Sequence, residues 1–153
     1  MTDTTAQAAG TVGGASAGVS AASPAATAAA ARAVVQAYWA AANARDWDAF
    51  AAVLADDVVH DLPQSRERIR GKERYVAFNR ACPGERHTRI ERLVADGEEP
   101  QAAARTLVTA GLDQMHAVHF FTFDAEGRIT SVTDFWPEPY EPPAGREHLV
   151  ERY

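Results

Sequence analysis

Residues 114 to 136 read QMHAVHFFTFDAEGRITSVTDFW, and the fold turns on this stretch. From Gln114 to Phe123, and again from Arg128 to Trp136, β-branched and aromatic residues alternate with polar ones, a period of two that predicts strands. Asp124, Ala125, Glu126 and Gly127 form a short connection between them, so the two strands should pair as an antiparallel hairpin. In the first strand Met115, Ala117, His119, Phe121 and Phe123 share one face, while His116, Val118, Phe120 and Thr122 share the other. The His119 face carries one polar group among apolar ones, as a pocket wall would. In the second strand Thr130, Val132, Asp134 and Trp136 fall together.

Upstream the same pattern continues. His87 to Ala95 predicts a strand stopped by Asp96 and Gly97, and Gln101 to Ala110 another stopped by Gly111. Before His87 the period lengthens to that of helices. Ser23 and Pro24 make a helix entry, Val34, Val35, Tyr38, Ala41 and Ala42 recur at helical spacing, and this helix should end near Asn43. Asp46 caps a second helix with Trp47, Phe50, Ala51 and Leu54 on one face. Val58 to Asp61 predicts a short strand ended by Pro63, and the polar run Gln64 to Arg70 a loop. Gly71 opens a third helix carrying Tyr75, Val76 and Phe78, closed by Cys82, Pro83 and Gly84. Helices first and strands after predict an α+β domain with a curved antiparallel sheet packed on three helices.

Three segments follow from composition. Between residues 2 and 31 only Asp3, Gln7, Val12, Val19 and Pro24 are not Ala, Gly, Ser or Thr, so residues 1–24 are expected as a flexible tail with little to bury. Residues 25–137 form the domain. Residues 138–153 form an extension in which prolines exclude regular structure until a short helix from Arg146 onward.

The chain has 153 residues and a formal charge of -6, with Lys72 its single lysine and its arginines interleaved with acidic residues. That pattern argues against nucleic acid as a partner. Cys82 is the only cysteine, so neither an internal disulfide nor a cysteine-based metal site is expected, and a reducing cytoplasm is the simplest compartment. A secretory signal would need an early positive charge and a Leu- or Val-rich core, which the Ala/Gly tract lacks. No stretch approaches the roughly 20 apolar residues that span a bilayer, so no membrane partner is expected.

Four blocks, YWAAANARDWDAF (Tyr38 to Phe50), LADDVVHDLP (Leu54 to Pro63), GKERYVAF (Gly71 to Phe78) and FDAEGRITSVTDFW (Phe123 to Trp136), resemble in order and spacing the nuclear transport factor 2-like superfamily. Within it they look most like SnoaL-like polyketide cyclases and ketosteroid isomerases, over roughly residues 30 to 137. The resemblance implies a cone-shaped, cystatin-like α+β barrel with an apolar pocket between sheet and helices, and a homodimer. It does not fix the chemistry, because this fold hosts isomerases, cyclases, epoxide hydrolases and proteins without catalytic role.

In the isomerase comparison Tyr38 falls where the oxyanion-donating tyrosine stands, His119 where a protonated aspartate stands, and the base position is Leu62, or Asp61 if the strand carries a bulge. The isomerase itself is a standard example of an Asp base working beside such an oxyanion hole. The resemblance also turns the Asp134 face into the cone, where His119 and Asp134 would form a hydrogen-bonded acid/base pair. Candidate catalytic residues are therefore Tyr38, Asp61, His119 and Asp134, with His60, Leu62, Arg105, Met115, Phe121, Val132 and Trp136 as ligand-contacting residues. Limonene-epoxide hydrolases keep an Arg-x-Asp on an inner strand; Arg105 and Thr106 resemble its start, but Leu107 stands where that Asp is expected.

Each residue also has a structural alternative. Tyr38 fits a core residue whose hydroxyl reaches a carbonyl, His119 with Asp134 fits a buried structural pair, and Asp61 fits a cap on the turn at Pro63. Asp56 and Asp57 fit a solvated helix end, and Trp39, Trp47 and Trp136 fit core or pocket-lining aromatics. His116 and His119 lie three apart on a strand, hence on opposite faces, and no metal or cofactor is expected. The function expected is binding of a hydrophobic carbonyl-bearing small molecule with cofactor-independent proton transfer. The alternatives are a non-catalytic ligand-binding or dimerisation module and an epoxide hydrolase-like enzyme.

Overall fold

The computed structural model describes residues 23–153. Of the tail expected over residues 1–24, residues 1–22 lie outside the described residues, while Ser23 and Pro24 open the first helix, α1 (Pro24–Ala44). Ser23 Oγ accepts from the Ala26 N–H at 3.3 Å, and Pro24 sits in the first turn, where its missing donor costs nothing. Arg45 ends α1 in the left-handed conformation (φ 54°), its N–H reaching the Ala41 and Ala42 carbonyls. Asp46 then caps α2 (Trp47–Ala52), Oδ1 accepting from the Ala49 N–H at 3.0 Å. Gly71, at a φ of 90°, precedes α3 (Lys72–Ala81).

Six strands follow or intervene: β1 (Leu54–Leu62), β2 (Glu67–Arg70), β3 (Arg86–Ala95), β4 (Gln101–Ala110), β5 (Asp113–Phe123) and β6 (Ile129–Phe135). They form one curved sheet in the order β2-β1-β6-β5-β4-β3. The expected hairpins β3–β4, β4–β5 and β5–β6 are all antiparallel. The sheet as a whole is mixed and open, because β1 runs parallel to β6. The chain leaves β1 through β2, α3 and the β3–β6 meander before β6 returns beside it, and local pattern carries no information about such a distant pairing. β2 occupies the run expected as loop. It is an exposed edge strand, and its charged side chains hide the period while discouraging further pairing.

β1 begins four residues earlier than expected, and its pairing with β6 shifts between Leu54 and Val59, so Asp56 and Asp57 are exposed strand residues. A second irregularity lies between Thr122 and Phe123. It turns Thr130 outward, its hydroxyl 2.8 Å from that of the exposed Thr122, while Val132 and Asp134 stay inside as expected.

The helices cover the inner face of the sheet. Val35 and Tyr38 of α1, Phe50 of α2 and Tyr75 of α3 pack on Leu54, Val58, Phe121, Ile129 and Val132. Two polar ties fix α1 to the far edge: Arg32 Nη1 donates to the Leu93 carbonyl at 2.6 Å, and the Asn43 amide bridges the Thr88 N–H and carbonyl, both at 2.8 Å. After β6 the prolines leave the chain irregular apart from one 3₁₀ turn, Glu147–Leu149. Among the described residues no helix is long and apolar enough to cross a membrane.

Candidate functional site

A cavity of about 350 Å³ lies between the inner face of the sheet and the C-terminal ends of α1 and α3. Tyr38, Trp39, His60, Leu62, Phe78, Val108, Met115, Asp134 and Trp136 line it, with Arg45, Trp47, Cys82, Gly84 and Arg86 around its rim. Two of its polar residues, His60 and Asp134, belong to a connected line of hydrogen bonds that continues behind the wall to His119 and Thr106. Asp134 accepts from His119 Nδ1 at 2.6 Å through Oδ1 and from His60 Nε2 at 3.0 Å through Oδ2. Thr106 Oγ1 lies 2.8 Å from His119 Nε2.

These contacts assign the tautomers. A carboxylate accepts only, so with neutral imidazoles His119 carries its proton on Nδ1 and His60 on Nε2. Thr106 then donates to His119 Nε2, which commits both nitrogens of a fully buried ring that does not line the cavity. His60 differs. Its Nδ1 is buried without a hydrogen-bond partner among the described residues, and its ring stands on the cavity wall between Tyr75 and Phe78. A buried polar atom with no partner is uncommon enough to call for a reason.

Burial pushes the Asp134 carboxyl up, but the hydrogen bonds and charge of His119 and His60 outweigh it and hold the group below its ordinary value of 3.8. Asp134 is thus an anion between two imidazoles. Tyr38, expected as a donor, lies on the cavity wall with its hydroxyl bonded to that of Tyr75. Burial, reinforced by the charge of Asp134, raises Tyr38 well above the usual phenol range, and burial does the same to Tyr75, so both hydroxyls remain neutral. Trp39 Nε1–H is a second buried polar group without a partner among the described residues, a donor where His60 Nδ1 is an acceptor.

The remaining candidates divide by face. Leu62, Met115 and Trp136 line the cavity, whereas Phe121 and Val132 are core residues outside its wall. Asp61 points to the opposite side of β1 from His60, where Arg68 of β2 holds it through two hydrogen bonds of 2.5 and 2.7 Å. Arg105 is likewise exposed on the outer face, 3.2 Å from Glu91. Thr106 was no candidate in its own right, although the alternation of Ala102, Ala104, Thr106 and Val108 carries its inward direction. Among the described residues no group of three or more His, Cys, Asp or Glu is arranged to hold a metal ion.

The profile of the SnoaL-like domain matches residues 35–132. A protein of Kribbella flavida DSM 17836, solved as a candidate ketosteroid isomerase, is 45% identical over 82% of this chain and 91% of its own, with a TM-score of 0.78. A candidate polyketide cyclase of Xanthomonas campestris pv. campestris is 28% identical over 72% and 93%, with a TM-score of 0.62. An LEH-like epoxide hydrolase of Mycobacterium tuberculosis is 28% identical over 72% and 84%, with a TM-score of 0.62. Further neighbours with NTF2-like or cystatin-like folds share the architecture. No curated protein matches the chain.

Proposed function

Because the chain belongs to the SnoaL-like domain family and has the NTF2-like fold, we propose that its cavity binds a hydrophobic, carbonyl-bearing small molecule and moves a proton beside that carbonyl without a cofactor. His60 carries this reading: one ring nitrogen is tied to the Asp134 carboxylate, the other is buried and uncommitted, and the residue lines a largely apolar cavity. The naming of one neighbour as a candidate ketosteroid isomerase and another as a candidate polyketide cyclase agrees with chemistry that begins at an enolate.

In this mechanism the C–H bond next to the carbonyl breaks, its proton passes to His60 Nδ1, and the electron pair moves onto the carbonyl oxygen. Trp39 Nε1–H and, with Tyr75 donating to it, the Tyr38 hydroxyl are the neutral donors in reach of that oxygen. Asp134 stabilises the imidazolium, and His119 with Thr106 fixes the carboxylate. Isomerisation is completed when His60 returns its proton to a different carbon. Cyclisation follows instead if the enolate carbon attacks a second carbonyl of the same molecule and His60 protonates the new alkoxide. Epoxide opening has less support, since Arg105 pairs with Glu91 on the outer face.

The test is exchange of the α-protons of 2-tetralone in D₂O, followed by NMR. The wild-type protein should accelerate exchange over buffer, and His60→Gln should lower that acceleration by about 10²- to 10⁴-fold. Equal exchange in both proteins would remove His60 from the mechanism; tight binding with no exchange would favour the ligand-binding module. The same reading takes the assembly as a homodimer through the outer sheet face, where Phe120 and Phe135 pack edge to face at 6.0 Å and both are exposed in one chain. Light scattering at micromolar concentration should give a dimer, reduced to monomer by Phe120→Asp; a wild-type monomer refutes it.

A further inference from the structure

We infer that the ligand of this cavity is an acid: its carboxylate is held at the rim by Arg45 and Arg86, while its apolar body extends inward past Trp39 and Trp47. The inference rests on the reading that the cavity takes a hydrophobic small molecule, and adds its charge. Arg45 follows the last residue of α1, and Arg86 is the first of β3. The bridge from Asn43 to Thr88 draws these two chain segments together, so both arginines border one opening.

Neither arginine has an acidic partner among the described residues. Arg45 Nη2 makes one long contact, 3.4 Å to the Arg80 carbonyl, and its guanidinium lies 5.4 Å from the centre of the Trp47 ring. Arg86 Nη1 approaches only the Cys82 sulfur, at 3.6 Å. Five donors on each guanidinium are thus nearly all uncommitted. Their acidic neighbours in sequence form no ion pair with them among the described residues, and Asp46 spends Oδ1 on the cap of α2. Asp134, the one carboxylate on the cavity wall, is already shared by two histidines. In a chain of net charge -6 this leaves a locally cationic entrance to an apolar space.

The backbone adds a further sign. Arg45 occupies a left-handed position (φ 54°) where glycine or asparagine is the unstrained choice. The side chain at this position borders the cavity. A planar guanidinium pair suits a planar carboxylate, which accepts two parallel hydrogen bonds.

The experiment compares two probes of the same shape by calorimetry, 6-acetyl-2-naphthoate and neutral 2,6-diacetylnaphthalene. The carboxylate should bind about tenfold more tightly at low salt, with the margin shrinking as salt rises. In the doubly substituted Arg45→Asn, Arg86→Gln protein the preference should vanish while the diketone binds as before; asparagine suits the left-handed position, so this variant should fold. Equal affinity of the wild type for both probes, or a preference that survives in the double variant, overturns the inference and leaves the cavity reading intact. Failure of both probes to bind overturns the cavity reading and the inference with it. His60→Gln should keep the preference, because the arginines act on binding, and its loss in that variant would overturn their assignment.

Discussion

Phe120 and Phe121 are neighbours on β5, yet Phe121 is fully buried and Phe120 is 50% exposed. The inner face packs Phe121 against Tyr38, with ring centroids 5.6 Å apart, and holds His119 in a saturated hydrogen-bond line. The outer face has the opposite character: Phe120 meets Phe135 edge to face, and charged groups on this face, Glu91 with Arg89, Arg105 and His116, pair where water reaches them. Similar residue types on one strand thus support different outcomes, and the difference is the number of neighbours that exclude water, not the chemistry of the side chain.

Substitution on each face should expose that contrast most strongly at the two phenylalanines. Phe121→Ala removes a ring from a packed core and should cost about 3–5 kcal/mol of unfolding free energy. Phe120→Ala should cost less than about 1 kcal/mol in the separated monomer, its main effect being a weakened association. Urea denaturation at several protein concentrations distinguishes the two. A large, concentration-independent loss in Phe120→Ala would mean that the outer face belongs to the folded core of one chain.

The same contrast explains what could be read before the structure. The β3 to β6 hairpins follow from alternation, because one buried face imposes a period of two on each strand. β2 carries no such imprint, since Ile69 is its single half-buried residue among three exposed charged ones, and the β1–β6 pairing joins segments too distant for local pattern to register. The hydrogen bond between His119 and Asp134 was legible because both lie on those hairpins. At β1 the adjacent polar pair His60 and Asp61 left the inward residue undetermined, because the irregularity after Leu54 breaks the count. His60 becomes the partner of Asp134 only once β6 lies beside β1. Arg45 and Arg86 come to border one cavity through Asn43 and Thr88, a tie between a helix end and a strand start that no motif announces.

Acid should separate the faces next. Asp134 is held below its ordinary value of 3.8, so the stability it contributes is fully present above that value and is lost as pH falls through its lower folded value. Asp61, Asp96 and Asp124 are also lowered, but they lie at the surface, where added salt screens them. Denaturation measured from about pH 5 to pH 2 in concentrated salt should therefore retain the acid loss due to Asp134, and Asp134→Asn should remove it. If the substituted protein loses stability with acid as steeply as the wild type, the buried carboxylate is not the group responsible.

The smallest effect expected is at Asp61, and it is informative because His60 is its neighbour. Asp61 accepts two hydrogen bonds from Arg68 and is held below the usual carboxylate range chiefly by them. The pair is partly open to solvent, with side chains 29% and 53% exposed, so Asp61→Asn should cost only about 0.2–1 kcal/mol. Side chains one residue apart on a strand leave by opposite faces, and the cavity contains His60 and Leu62 but not Asp61. Exchange of 2-tetralone protons should accordingly be unchanged in Asp61→Asn, in contrast to the loss expected for His60→Gln. A tenfold or greater fall in exchange with stability retained would reverse the assignment of the two faces of β1 and restore Asp61 as the base.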